Sequence, residues 1–138
     1  MTRYRFLYFN LRIAPADLAT VSKAFGLTLP TKIGQGEQNG DRAAYCIGPD
    51  EWLLHAAEAD QHAIVAAFNA VREKTPHSLV VISDRELTIS VTGPAALDLL
   101  SVACPLDLSR MANGSAKRTV FDYAQVVLIR DGEDAFRI

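Results

Sequence analysis

Cysteine is scarce in this chain. Cys46 and Cys104 are the only two, they lie far apart, and neither belongs to a C-x-x-C pair. The three histidines, His55, His62 and His77, show no H-x-x-x-H spacing. No metal-ligand cluster is therefore legible, and in a chain without an export signal two free thiols are expected rather than a disulfide. An excess of one charge is missing as well. Lys and Arg number 14 against 16 Asp and Glu, for a net charge of -2. The small basic step Lys117-Arg118 falls far short of a nucleic-acid patch, so nucleic acid is not an expected partner. No apolar run approaches the roughly 18 residues of a membrane-spanning helix. The opening MTRYRFLYFNLRI has a basic flank and an apolar run but no small-residue cleavage site, and it alternates like a strand. A signal peptide is not expected, and the cytoplasm is the expected compartment.

What is present suits one soluble domain. The chain has 138 residues, 49% of them apolar and 22% charged, enough to bury a core without staples. The best specified stretch is Ser83–Leu108. Leu87, Ile89 and Val91 alternate with Thr88, Ser90 and Thr92, the period-2 pattern of a half-buried strand over Glu86–Thr92. Gly93-Pro94 breaks it, and Pro94 suits the first turn of a helix carrying Leu97 and Leu100 on one face. Cys104-Pro105 stops that helix, since proline disfavours helical geometry in the residue before it.

In chain order, Tyr4–Ile13 reads as a strand, with Phe9, Leu11 and Ile13 opposite Tyr8, Asn10 and Arg12. Its N-terminal part is apolar on both faces, as in a strand covered on both sides or one meeting a partner. Pro15 opens a helix and Gly26 closes it, with Leu18, Val21 and Phe25 as its apolar stripe. Leu27–Asp41 reads as a flexible polar loop. Its Gly34, Gly36 and Gly40 do not make a phosphate cradle, because neither G-x-G-x-x-G nor G-K-[ST] is present. Ala43–Ile47 and Trp52–Ala56 flank a Gly48–Glu51 turn as a hairpin. Asp60 suits the N-cap of a helix with Ile64, Phe68 and Val71 on its buried face. Leu79–Ile82 reads as a central strand covered on both faces. Strand, helix, strand, strand, helix, strand is the split βαβ order of a ferredoxin-like unit. A second, incomplete copy follows, with strands at Arg118–Tyr123 and Ala124–Arg130 and a hairpin turn at Asp131-Gly132. The expected fold is α+β, with helices on a mostly antiparallel sheet: a single domain whose residues 1–83 and 84–138 form duplicated split βαβ units.

Chemistry-bearing constellations are few. Cys104 reads as a small buried hydrophobe rather than one half of a Cys–His pair. Asp107 lacks an acid or nucleophile partner and suits a turn or cap. His62 lies in a first helical turn, where the dipole disfavours its cation. Three residues are candidates for contact with a partner or ligand. Asp84 and Arg85 sit in a short connection between two strands, where Arg85 could fork onto a carboxylate or the pair could hold the turn, the preferred reading. Trp52, the lone tryptophan, is either core or an interface anchor; core is preferred, because its strand position shares a face with Leu54. No catalytic, cofactor-binding or metal-binding residue is identified.

Two motifs carry a family resemblance: Gly48-Pro49-Asp50-Glu51-Trp52-Leu53-Leu54, then Ser83-Asp84-Arg85, Gly93-Pro94-Ala95, Leu99-Leu100 and Cys104-Pro105-Leu106-Asp107-Leu108. In this order and spacing the chain resembles the gamma subunit of heterotetrameric sarcosine oxidase, over roughly Gly48–Arg130. The resemblance implies a fold similar to the folate-binding domain of glycine-cleavage aminomethyltransferases. It implies an accessory, non-catalytic subunit of a complex that oxidatively demethylates sarcosine to glycine and reduces oxygen to hydrogen peroxide. FAD, FMN, NAD and tetrahydrofolate are then expected on the partner subunits, with no cofactor on this chain. The implied partners are the alpha, beta and delta subunits, and the isolated chain is expected to self-associate. Members of the family usually continue into a C-terminal helix, whereas this sequence stops at Phe136-Arg137-Ile138, which reads as part of a strand. The alternatives are the equivalent subunit of a related N-methyl amino acid dehydrogenase, such as N-methylglutamate dehydrogenase, or a stand-alone domain binding folate or another small ligand.

Overall fold

Alternation in the first strand sets the architecture. In the computed structural model, which describes residues 6–138, β1 (Leu7–Ile13) buries Leu7, Phe9, Leu11 and Ile13 on one face and carries Tyr8, Asn10 and Arg12 on the other. Residues 4 and 5 of the expected strand lie outside the described residues. Pro15 opens a 3-10 turn that runs into α1 (Leu18–Phe25). Gly26 ends the helix with φ of 78°, the left-handed C-cap that glycine takes without strain. A Cβ there would lie 2.6 Å from Nη1 of Arg42. That guanidinium donates to the Phe25 carbonyl and lies 5.6 Å from the Phe25 ring centroid, a cation at the negative end of the helix. Gly26→Ala is expected to lower the unfolding free energy by about 1–2 kcal/mol from the backbone alone. A urea titration tests this, and an unchanged midpoint would contradict it.

The stretch expected as a flexible loop instead contains β2 (Gly36–Asn39), which pairs with β3 (Arg42–Gly48), Gly36 opposite Tyr45 and Asn39 opposite Arg42. The cause is non-local. β2 has no apolar alternation of its own and takes strand form from the ladder that β3 offers. Gly40, with φ of 59°, leads the two-residue turn between them, as a type II′ hairpin requires. β3 turns through Pro49-Asp50 into β4 (Glu51–Ala56), as expected. Asp60 precedes α2 (Gln61–Val71) but makes no side-chain cap. Its carboxylate lies 3.3 Å from Arg42 instead.

β5 (His77–Val81) completes an antiparallel sheet of order β2-β3-β4-β1-β5. The expected central strand is thus an edge strand, with Val80 and Val81 48% and 40% exposed. A run of β-branched residues marks strand propensity but does not say how many neighbours the strand has. With β2 set aside, the order β3-β4-β1-β5 is that of a split βαβ unit. α1 and α2 contribute Leu18, Val21, Phe25, Ile64 and Phe68 to a core shared with Phe9, Leu11, Trp52 and Leu54 of the sheet.

The chain divides into two compact units, the first ending at Glu86 and the second comprising Leu87–Ile138. The second has its own antiparallel sheet. β6 (Ser90–Thr92), β7 (Ala116–Phe121), β8 (Ala124–Gly132) and β9 (Ala135–Arg137) lie in the order β6-β9-β8-β7, with α3 (Ala96–Ser101) following β6. A direct hairpin joins β8 to β9 where the first unit returns through a helix. The strand expected over Glu86–Thr92 shrinks to β6, because β9 offers only Ala135–Arg137 to pair with, extended by one backbone pair between Ile89 and Ile138. Leu87 and Ile89, expected to face inward with Val91, are 64% and 44% exposed. The final hairpin turns at Glu133-Asp134 rather than Asp131-Gly132. Arg130 explains the shift, since its guanidinium donates to the carbonyls of Gly132 and Glu133 and holds a bulge between Arg130 and Gly132. The core of this unit joins Ala96 and Leu100 of α3 to Cys104, Leu108, Met111, Leu128 and Phe136. Both units are antiparallel sheets with helices against them, the α+β class expected from the element order.

Candidate partner-contact surfaces

Several of the residues that carry the family motifs are committed to the fold. Glu51 is buried, accepts a 2.8 Å hydrogen bond from the Asn10 amide and lies 3.4 Å from Arg12. Arg12 also reaches Asp50 at 2.7 Å, and the Asp50 carbonyl accepts from the Ile13 amide. These contacts lock the Gly48–Glu51 turn to the end of β1. Trp52 is 1% exposed, and its indole Nε1 donates to the Pro30 carbonyl at 2.7 Å. Ser83 Oγ accepts from the Tyr8 amide at 2.9 Å, so Ser83, and not its neighbour Asp84, ties the connection after β5 to the sheet. In the second unit Asp107 accepts from the amide and hydroxyl of Ser109, the cap expected of it.

The thiols sit in unreactive surroundings. Cys104 is buried, with its Sγ 3.8 Å from the Thr119 hydroxyl. Cys46 is buried and donates to the Gly48 carbonyl at 3.2 Å. Burial pushes the Cys46 thiol above its ordinary value of 9.0. Folded Cys46 is therefore expected to resist iodoacetamide at neutral pH and to react only on unfolding. Because the folded thiol keeps its proton to higher pH than the unfolded one, its contribution to stability is complete below about pH 9 and is lost as pH rises toward the folded value. Cys46→Ala should flatten that alkaline fall in a pH series of urea titrations; the same slope in both proteins would refute it.

Among the described residues no group of three or more His, Cys, Asp or Glu side chains is placed to hold a metal ion. A pterin ring is held through paired N–H groups that need an available carboxylate in an apolar setting. The buried carboxylate among the described residues is Glu51, and Asn10 and Arg12 already occupy it. Glu51 thus serves the fold of the first unit.

What remains is surface. In the first unit Asp84 and Arg85 occupy a 3-10 turn (Ser83–Arg85) and are exposed; the Arg85 side chain lies 3.8 Å from Glu86. Val80 and Val81 precede them on the edge strand. In the second unit the exposed apolar side chains include Leu99, Val102 and Tyr123, the last two 85% and 91% exposed. These three were missed in the sequence. The available signal was a tyrosine in a tight Asp122-Tyr123 turn between two strands, where nothing local can bury it.

Comparison with known proteins gives this arrangement a family. The model of the sarcosine oxidase, gamma subunit family matches residues 12–138. The sarcosine oxidase subunit gamma of Corynebacterium sp. (strain U-96) is 31% identical over 135 residues, covering 94% of this chain and 64% of that protein. The one from Arthrobacter sp. is 32% identical, covering 89% of this chain and 61% of that protein. The chain thus spans just under two thirds of the length of the curated relatives it matches. Among solved structures, a chain of a heterotetrameric sarcosine oxidase from Corynebacterium sp. U-96 in complex with pyrrole 2-carboxylate superposes with a TM-score of 0.86 at 27% identity, covering 99% of this chain and 71% of that one. The glycine cleavage system aminomethyltransferase T from Bartonella henselae superposes with a TM-score of 0.71 at 16% identity, covering 96% and 39%, and shares the fold. The chain belongs to the sarcosine oxidase gamma subunit family.

Proposed function

We propose that this chain is the accessory subunit of a sarcosine oxidase assembly that oxidatively demethylates sarcosine to glycine. The observation that carries this is the superposition of 99% of the chain on part of a heterotetrameric sarcosine oxidase. The site chemistry supports it: Glu51, Trp52 and Ser83 of the motifs hold turns and core, and both thiols are buried. In this reading FAD, FMN, NAD and tetrahydrofolate belong to the larger alpha and beta subunits, delta is a further partner, and this chain supplies contact surface rather than a reacting group. It works as one module made of two units, the first ending at Glu86 and the second comprising Leu87–Ile138. Asp84 and Arg85 are its contact residues on the first unit, exposed and able to meet a charged partner group, while buried Trp52 acts only by holding β4 and the Pro30 segment in place. No helix among the described residues is long and apolar enough to cross a membrane. The cytoplasm is the proposed compartment of the assembly.

Co-purification from the native host tests the proposal. The tagged chain is expected to bring down a large flavoprotein subunit, to be colourless when isolated, and to give an eluate that oxidises sarcosine. An eluate oxidising N-methylglutamate instead would move the assembly to the related dehydrogenases. A chain that elutes with no flavoprotein would overturn the accessory-subunit reading.

A further inference from the structure

One apolar patch in the second unit has no role within the fold. Leu99 and Val102 are three residues apart, spanning the C-terminal end of α3, and so share a face; they are 58% and 85% exposed. The same helix turns Ala96 and Leu100 into the core, so its inward face is already spent. The β7–β8 turn comes to this end of the helix, because the Asp122 amide donates to the Ala103 carbonyl at 2.8 Å and Cys104 Sγ lies 3.8 Å from Thr119. Asp122 holds a left-handed backbone, φ of 56°, at the first position of that turn, a conformation in which a residue with a Cβ is uncommon. The next residue is Tyr123, 91% exposed. An aliphatic pair and an aromatic ring are thus brought together on one side of the unit, with the ring on a turn fixed at both ends by strands.

Charge says what kind of surface covers it. The two segments of the second unit that build the patch, Leu87–Ser109 and Thr119–Ile129, contain Asp98, Asp107 and Asp122 and no lysine or arginine, with Arg110 and Arg118 just beyond their ends. Asp98 lies on α3 one residue before Leu99, and Asp122 one residue before Tyr123, and both are exposed. Two copies of this chain meeting through the patch by a two-fold axis would bring like acidic rims together. A different protein with an apolar centre and a basic rim would complete both the apolar and the charged part, which is the usual anatomy of a protein interface. We propose that the patch of Leu99, Val102 and Tyr123 is a docking surface for a neighbouring subunit that presents apolar side chains ringed by lysine or arginine. The proposal rests on the accessory-subunit reading and names the part of the second unit through which that role is exercised.

The test uses the assembly purified from the native host through the tagged full chain. Hydroxyl-radical footprinting is compared between the free chain and the assembly, and binding is measured for Val102→Glu, Tyr123→Ala and Asp98→Lys. Because all three positions are exposed, the variants are expected to fold as the parent does, which circular dichroism checks. The expected result is protection of Tyr123 on assembly, at least tenfold weaker assembly for Val102→Glu and Asp98→Lys, and weaker assembly at high salt. If the flavoprotein assembly forms normally with Tyr123 still reactive and all three variants binding as the parent does, the patch is overturned while the accessory-subunit reading stands. If no flavoprotein assembly forms with the parent chain, that reading fails and the docking proposal fails with it. If the free chain is a dimer that Val102→Glu dissociates, the occupant is a second copy and the proposed partner is wrong.

Discussion

An Arg130→Met chain is expected to lose about 3–5 kcal/mol of folding stability, because a buried cation that satisfies several acceptors leaves all of them orphaned when it goes. Arg130 is 8% exposed. Its guanidinium donates to four carbonyls: Leu108 at 3.1 Å, Met111 at 2.7 Å, Gly132 at 3.1 Å and Glu133 at 2.9 Å. It also lies 5.3 Å from the centroid of the buried Phe136 ring. One side chain therefore ties the segment after α3 to the β8–β9 hairpin, two places whose backbone groups have no ladder to satisfy them. Methionine fills much of the volume but donates nothing. Arg130→Lys keeps the charge but loses the planar fork, and should recover less than half of the loss. Urea titration followed by circular dichroism gives the magnitudes. Hydrogen exchange should show faster amide exchange at Met111 and Phe136 in both variants. A loss under about 1 kcal/mol for Arg130→Met would mean that water satisfies those carbonyls as well as the guanidinium does.

The second large effect is at Trp52. Trp52→Ala should cost about 3–5 kcal/mol, the usual penalty for emptying the space of a fully buried large aromatic. Trp52→Phe separates packing from hydrogen bonding. It keeps a ring but removes the Nε1 donor, leaving the Pro30 carbonyl unsatisfied, for an expected loss of about 1–3 kcal/mol. Both variants lack the chain's only tryptophan, so far-UV circular dichroism must follow their unfolding. If Trp52→Phe costs as much as Trp52→Ala, the bond to Pro30 matters more than the packing of the ring. If Trp52→Ala costs under about 1 kcal/mol, the residue is not the core element that its burial indicates.

Features set by neighbours in sequence were legible before the structure. Pro15 and Gly26 bracket α1 because a proline's fixed φ and a glycine's left-handed φ act within one turn. Alternation in β1, the turn at Pro49-Asp50 and the stop after α3 are local in the same sense, as is the Asp107 cap. The α+β class followed from the order of these elements. Pairing and exposure were not legible. Leu79–Val81 has the composition of a central strand and lies at an edge, because among the described residues β1 is its one sheet neighbour. Gly36–Asn39 has the composition of a loop and is a strand, because β3 pairs with it. Leu87 and Ile89 alternate as a buried face and remain exposed.

The same division holds for the candidate surfaces. The sequence marked Asp84 and Arg85 as charges needing an explanation, and their turn leaves them exposed. It could not mark Leu99, Val102 and Tyr123 as one patch, since roughly twenty residues separate the helix from the turn, and the Asp122–Ala103 hydrogen bond and the Cys104–Thr119 contact that bring them together are non-local. Nor could it show that Arg130 holds the second unit, because its four acceptors are backbone carbonyls, which every residue has and which become a site only when folding gathers them. The sequence by itself determined where the chain turns, caps and alternates, because those are the energies of near neighbours. The tertiary structure alone decided which strands are edges, which carbonyls Arg130 gathers and which apolar side chains remain exposed, because those depend on contacts between residues far apart in the chain.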